Sequence, residues 1–202
     1  MTANREVEIK FRIDDLEALA NSLPTVGFRL ITPRTHEENV LYDQPGAKLR
    51  RKGALLRLRE YGPAWTLTYK DRSVPQKGRH KSRRELETGI KNGEAMAQIL
   101  ETLGYKPSFR YEKCRSEWSD ATGHVVIDET PIGNFGEIEG PPEWIDSTAL
   151  RLKIPVASYI RESYAELRRP AARYEARRDE YHLRHRRSAR RLPLARQPGR
   201  AA

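Results

Sequence analysis

The stretch EVEIKFR, residues 6–12, sets Glu6, Glu8, Lys10 and Arg12 at alternate positions, with Val7, Ile9 and Phe11 between them and Ile13 following. Only residues two apart share a face of an extended strand. The segment therefore predicts a strand with one apolar face and one face carrying four charges of both signs. In an ordinary sheet such a charged face is simply the wet outside, so the reading rests on whether the pattern repeats and with which residues.

It repeats along the chain. RLR places Arg57 with Arg59; TLTYK places Thr66, Thr68 and Lys70 together; RRELE does the same for Arg83, Glu85 and Glu87, and EKCRSE for Lys113, Arg115 and Glu117. VVIDE adds Asp128, and FGEIE adds Glu137 and Glu139. Period-two patterns separated by turn signals predict strands near 4–13, 36–43, 53–60, 64–71, 82–89, 111–119, 123–130 and 134–139. Helical spacing appears at 14–23, at 92–104 with Asn92 as cap and Gly104 as stop, and at 157–167. So many short strands with inserted helices give an α+β, mainly β class and favour a barrel or strongly curved antiparallel sheet over a doubly wound one.

Composition separates a functional face from a solvated one. Arginine dominates the basic positions, and the acids come in pairs two apart: Glu6 with Glu8, Glu85 with Glu87, Glu137 with Glu139. Such pairs repel unless a cation lies between them. Oxygen-only donors of this kind suit a hard divalent ion, Mg²⁺ or Mn²⁺, rather than zinc. Guanidinium forks and lysine ammonium groups match phosphate oxygens. Acids for a metal beside bases for phosphates describe a polyphosphate site.

The bulk numbers are consistent with this. Of 202 residues 37% are hydrophobic, enough for a core although 33% are charged. The net charge of +10 suggests nucleic acid until it is divided. Residues 168–202 hold 12 Lys and Arg against 3 Asp and Glu, leaving 26 against 25 in residues 1–167. The body is nearly neutral, and the basic character belongs to a tail expected to be partly helical or disordered, dispensable or in weak contact with a polyanion. No long apolar run or leader marks the chain for a membrane or export, and the single cysteine, Cys114, fits a reducing cytoplasm. His36, His80 and His124 show no zinc spacing. Trp65, Trp118 and Trp144 read as packing residues, and GNFG, residues 133–136, as a tight turn.

The motifs resemble those of a known family. E-x-E-x-K at Glu6, Glu8 and Lys10 is similar to the opening signature of the CYTH domain, the triphosphate tunnel metalloenzymes. After it, in order, come ALLRLRE, TLTYKD, SRRELE, LGYKPSFRYEKCRSEW and IDETPIGNFGEIEGP, a likeness running over about residues 4–167. The resemblance implies an eight-stranded antiparallel barrel, open as a tunnel, whose charged interior binds a triphosphate with a divalent metal. It implies metal-side roles for Glu6, Glu8, Glu137 and Glu139, with Asp128 contributing and Glu85 and Glu87 serving metal or water. It implies a phosphate clamp of Lys10, Arg57, Arg59, Lys70, Arg83, Lys113 and Arg115, with Arg57, Arg59 and Lys70 counted as catalytic. Arg12, at the strand's far end, is left out.

Within the family the run 103–118 and the terminal SYAEL, residues 163–167, look most like class IV adenylyl cyclases, which form cyclic AMP and pyrophosphate from ATP. Two positions depart from the pattern. Tyr42 stands one place late, which in a strand turns it to the other face, and Glu162 precedes the Ser-Tyr pair where a base is common, with Arg161 next to it. An inorganic or thiamine triphosphatase stays open, as does a module that merely binds polyphosphate or nucleic acid. Small triphosphates (ATP, inorganic or thiamine triphosphate) are the expected partners, and a homodimer is compatible with the sequence.

Overall fold

The computed structural model describes residues 4–72, 80–160 and 162–167. The basic tail 168–202 and Arg161 lie outside the described residues. Eight strands occur in chain order: β1 (Asn4–Arg12), β2 (Arg29–Asp43), β3 (Leu55–Tyr61), β4 (Ala64–Lys70), β5 (Lys81–Ile90), β6 (Lys106–Ser119), β7 (His124–Thr130) and β8 (Gly133–Glu139). The helices are α1 (Leu16–Thr25), α2 (Lys48–Arg51), α3 (Gly93–Thr102), α4 (Pro142–Arg151) and α5 (Tyr164–Leu167). The strands close into an antiparallel barrel in the order β1-β5-β4-β3-β2-β6-β7-β8. β1 completes the ring: its first half pairs with β5 and its second half with β8, so that Glu8 is opposite both Lys81 and Glu139.

Alternation along each strand sends one set of side chains into the barrel and the other outward. The outward set forms two cores. Ile9 and Phe11 of β1, Val125 and Ile127 of β7 and Ile138 of β8 are buried with Leu23, Phe28, Ile145 and Ala149, under α1 and α4. On the opposite wall Val40, Tyr42 and Leu58 are buried with Leu100, packed by Trp65 and Met96 under α3. Tyr42 is thus a core residue, on the face that its shifted position predicts. Trp118 and Trp144 pack against the first core, and β8 passes close because Gly136 has no Cβ: one there would meet the Phe11 ring at 2.1 Å.

Helix starts follow their caps. Asp15 accepts from Ala18 N–H at 2.9 Å and Asn92 from Ala95 N–H at 2.9 Å, and Gly104, at φ 86°, ends α3. The structure corrects other expectations. The expected helix 157–167 is a single 3₁₀ turn (Val156–Ser158) and the short α5, because Tyr159 is extended and Ile160 N–H donates to Lys10 O at 2.7 Å in a bridge to β1. α4 is an additional helix, with Pro142 in its first turn and Ile145, Thr148 and Ala149 buried at helical spacing. GNFG belongs to β8, and the turn is Pro131-Ile132, held by Thr130 Oγ1 donating to Gly133 O at 2.7 Å. β2 and β6 begin at Arg29 and Lys106, earlier than expected, and pair through register shifts that hide the alternation around Pro33 and Pro107.

The α4 packing gives a direct test. Ile145→Ala, at a fully buried site, should destabilise the protein by about 2–4 kcal/mol in urea unfolding, whereas Leu150→Ala on the same helix, 79% exposed, should change stability by less than about 0.5 kcal/mol.

Candidate active site

The inward set of side chains contains all of the residues predicted for the site. Register pairs Glu6 with Arg83, Lys10 with Glu137, Arg57 with Thr68, Lys70 with Glu85, and Arg115 with Asp128. Lys10, Lys70 and Arg115 each find a counter-charge on the next strand, whereas Arg57 faces the Thr68 hydroxyl. Arg12 shares the inward register but is exposed, its guanidinium 4.9 Å from the Phe135 ring centre.

Three groups of charges line the tunnel. In the first, Asp128, wholly buried, accepts from Lys113 at 2.9 Å, from Nε and a terminal nitrogen of Arg115 at 2.7 Å each, and from the Tyr164 hydroxyl at 2.7 Å. Arg115 also reaches Glu137 at 2.8 Å, and Glu137 lies 3.2 Å from Lys10. In the second, Glu87 accepts from Thr68 at 2.6 Å and from Arg59 at 3.2 Å, with Arg57 at 3.6 Å. In the third, Lys70 bridges Glu6 at 2.6 Å and Glu85 at 2.9 Å, Lys81 pairs with Glu8 at 3.1 Å, and Glu139 stands among them.

Titration behaviour follows this grouping. Burial would raise the Glu37 carboxyl, but Lys113, Arg115, Arg57 and Arg59 outweigh it and hold the group down at about 2. Glu137 is likewise held well below the carboxylate range, by Lys10 and Arg115 against burial. Lys10 is raised despite burial because Glu137 and Glu8 face it. Glu139 moves the other way. Burial first, then the charges of Glu6 and Glu8, push it up to about 7, and Lys70 offsets this only in part. Burial also lowers the Lys81 amine, helped by Arg83. The third group is therefore short of positive charge.

Elsewhere the tunnel wall carries buried polar atoms that make no hydrogen bond, the acceptors Glu37 Oε2 and Asn39 Oδ1 and two guanidinium donors. The Nε atoms of Arg57 and Arg83 are buried with no hydrogen-bond partner, a situation that costs about 1–3 kcal/mol per unsatisfied group. Arg83 has no carboxylate within ion-pair distance among the described residues. These donors suit an entering anion. Among the described residues no three carboxylate, imidazole or thiolate groups are gathered closely enough to share an ion. The all-oxygen set Glu6, Glu8, Glu85 and Glu139 is nevertheless the one whose chemistry suits a hard cation: it sets four carboxylates against the two ammonium groups of Lys70 and Lys81, and Glu139 is raised by its neighbours' charge.

Sequence reasoning did not single out several inner residues. Glu37 and Asn39 are both wholly buried, and Asn39 donates to Glu37 at 2.8 Å. Lys81 and Tyr111 complete the wall, together with Thr68 and Tyr164 from the TLTYK and SYAEL motifs. Glu37-x-Asn39 and Lys81-x-Arg83 carry the same period-two signal as the recognised motifs. His36 lies against Glu112 at 3.0 Å and His80 against Asp146 at 2.8 Å.

With this geometry in place, likeness to known proteins can be weighed. The CYTH domain pattern matches residues 4–164. The chain belongs to the CYTH domain family. A protein of Methanocaldococcus jannaschii that carries the provisional name adenylate cyclase is 28% identical over 174 residues, covering 81% of this chain and 98% of its own. Among solved structures, one from Vibrio parahaemolyticus, provisionally named an adenylate cyclase, superimposes with a TM-score of 0.72 at 22% identity over 82% of this chain and 98% of its own. Another, from Hippeastrum, named for an adenylyl cyclase and described as having a dominant triphosphatase activity, gives 0.57 at 18% identity over 87% of this chain and 96% of its own. At such identities the superpositions show a shared fold. No helix among the described residues is long and apolar enough to cross a membrane.

The raised carboxyl yields a pH test. A folded-state value near 7 against an ordinary 4.5 means that protonated Glu139 favours the fold and that its contribution is lost as pH rises through 7. Stability of the wild type in chelator should fall between about pH 4.5 and 7 by up to about 3 kcal/mol from this group. Glu139→Gln should remove that part of the slope in urea unfolding series.

Proposed function

We propose that this CYTH-family chain is a divalent-metal-dependent enzyme that takes a nucleoside triphosphate into its tunnel and acts as an adenylyl cyclase, releasing cyclic AMP and pyrophosphate from ATP. The observation that carries the triphosphate reading is the pair of buried, unpartnered guanidinium Nε atoms at Arg57 and Arg83 beside a carboxylate group short of cations. A polyanion satisfies the first and a Mg²⁺ or Mn²⁺ ion the second. The relatives' provisional cyclase names support the finer reading, as does the outward placement of Tyr42, which keeps that phenol away from the phosphates. The unit responsible is residues 1–167, with the basic tail 168–202 adding at most a weak polyanion contact.

Each part of the tunnel then has a task. Arg57, Arg83, Lys10 and Lys113 hold phosphate oxygens and stabilise the negative charge that grows on pyrophosphate as the bond to the α-phosphorus breaks. Arg59 and Lys70, already paired with Glu87 and with Glu6 and Glu85, fix the walls against which the chain of phosphates lies. Asp128 and Glu137 hold Arg115 and Lys113 in place. A divalent ion on Glu6, Glu8 and Glu139 would supply charge neutralisation at the phosphates. Cyclisation further requires the 3′-hydroxyl to lie about 3–3.5 Å from the α-phosphorus.

The Hippeastrum structure's described triphosphatase activity keeps hydrolysis as the competing outcome. The deciding experiment incubates pure protein with ATP, inorganic triphosphate and thiamine triphosphate, each with Mg²⁺ or Mn²⁺, and resolves the products by phosphorus NMR. Cyclic AMP with pyrophosphate is expected; orthophosphate without any cyclic nucleotide would replace the cyclase by a phosphatase. Arg83→Ala should lower kcat/KM by about 10²- to 10³-fold with an unchanged melting curve. Mg²⁺ should raise the wild-type melting temperature, and raise that of Glu139→Gln less.

A further inference from the structure

Four of the bases expected for the phosphate clamp sit on the two strands that flank β2. Arg57 and Arg59 belong to β3, Lys113 and Arg115 to β6, and β2 runs between them in the barrel. Its inward positions beside these bases are Glu37, in register with Lys113, and Asn39, in register with Arg59. Both side chains are wholly buried. The four bases keep Glu37 ionised against burial. A carboxylate thus stands in the middle of a wall of bases, where it opposes the anion that such a wall attracts.

Its contacts differ from those of Asp128. Asp128 takes Lys113 at 2.9 Å and Arg115 at 2.7 Å, whereas Lys113 stays 3.5 Å from Glu37 Oε1 and Arg115 Nε 3.7 Å from Oε2. The hydrogen bond that Glu37 accepts comes from a neutral amide, Asn39 Nδ2 on Oε1 at 2.8 Å, and Oε2 has no hydrogen-bond partner. A carboxylate in contact with a base occupies its donors. One held a step back attracts several bases at once and occupies none of their donors. Arg57 shows the result, for its Nε stays unpartnered although the charge of Glu37 acts on it.

We propose that Glu37 is a positioning residue that stands in for phosphate in the empty tunnel: it draws the bases of β3 and β6 together before an anion enters, and repels the bound anion so that pyrophosphate leaves. The inference rests on the triphosphate reading above and adds product release to it. Without this charge the bases of the two strands repel one another across β2. With it in full contact they lose donors that phosphate oxygens need. Asn39 sets the balance, because by holding Oε1 it keeps the carboxylate from closing on Lys113.

The test is calorimetric titration of the full chain in Mg²⁺ with imidodiphosphate, a pyrophosphate that resists hydrolysis, on wild type, Glu37→Gln, Asn39→Ser and Glu129→Gln. Melting curves are taken of each with and without the ligand. Glu37→Gln should bind about tenfold more tightly than wild type, and should melt below wild type when empty but gain more from the ligand. A merely structural role for Glu37 would weaken binding instead. Asn39→Ser, which frees Oε1 to close on Lys113, should weaken binding about threefold, and this opposite sign decides the matter if Glu37→Gln does not fold. Glu129→Gln removes a charge from the outer face, where Arg34 holds it at 2.7 Å, and should bind within about twofold of wild type. Unchanged or weaker binding by Glu37→Gln, or unchanged or tighter binding by Asn39→Ser, would overturn the role of Glu37 alone. Absence of binding by the wild type would overturn the triphosphate reading and this inference with it.

Discussion

Asp128 has no exposed surface, yet it is surrounded by two cations and a phenol that together direct four hydrogen bonds at its two oxygens. A buried carboxylate survives only when paired and saturated in this way; removing one partner from such a pair typically costs about 3–5 kcal/mol. The rest of the interior depends on the same constraint. Lys113 and Arg115 are fixed by Asp128 and in turn depress Glu37, while Arg115 passes to Glu137 and Glu137 to Lys10. The barrel's inside is a connected lattice of charges that hold one another upright and keep the wall from collapsing inward.

That lattice contributes little net stability, because desolvation offsets most of its Coulomb energy. Cohesion comes from outside the barrel. The residues interleaved with the charges, Ile9 and Phe11 in β1 or Val125 and Ile127 in β7, are the ones sealed by α1 and α4. One period-two sequence thus supplies both surfaces, and a single-residue slip of β1 would bury Glu8 and Lys10 in the outer core while turning Ile9 inward. Register is specified from both sides at once, which explains why the opening stretch carries so much of the fold.

The legible parts of the sequence were those where alternation is clean. β1, β3, β4, β5, β7 and β8 run close to their expected limits, and their inward charges occupy one tunnel. Where Pro33 and Pro107 fall near register shifts, the early halves of β2 and β6 lost the pattern. α4 is hidden in the sequence because Pro141 and Pro142 follow β8 directly and suggest a loop, although a proline in the first turn is also a helix start. Glu37 and Asn39 were missed for a different reason. Their strand was recognised, but the neutral Asn39 and the apolar Leu41 follow Glu37 on the same face and break the run of charges. Tyr164 was marked by the Ser-Tyr pair and Tyr42 was set apart by its register, but nothing in the linear sequence distinguishes Tyr111 from a tyrosine that packs in a core.

Charge is also unevenly distributed along the tunnel, and this gives it a direction. At the Asp128 end Glu37 and Glu137 are held down, against burial, by the bases around them, whereas at the other end Glu139 is pushed up by burial and then by the charges of Glu6 and Glu8. A chain of phosphates has most to gain at the first and repels the second unless a cation intervenes. The C-terminal segment acts on the basic part only: Ile160 binds the Lys10 backbone, and Tyr164 covers the Lys10 and Lys113 ammonium groups. One face of each ammonium is thereby covered by a ring while the other meets carboxylates, Glu137 for Lys10 and Asp128 with Glu37 for Lys113; Lys70 is held by Glu6 and Glu85 with no ring over it. The ring keeps water from these buried ion pairs, and it places an apolar surface beside the basic part of the tunnel rather than beside its acidic part.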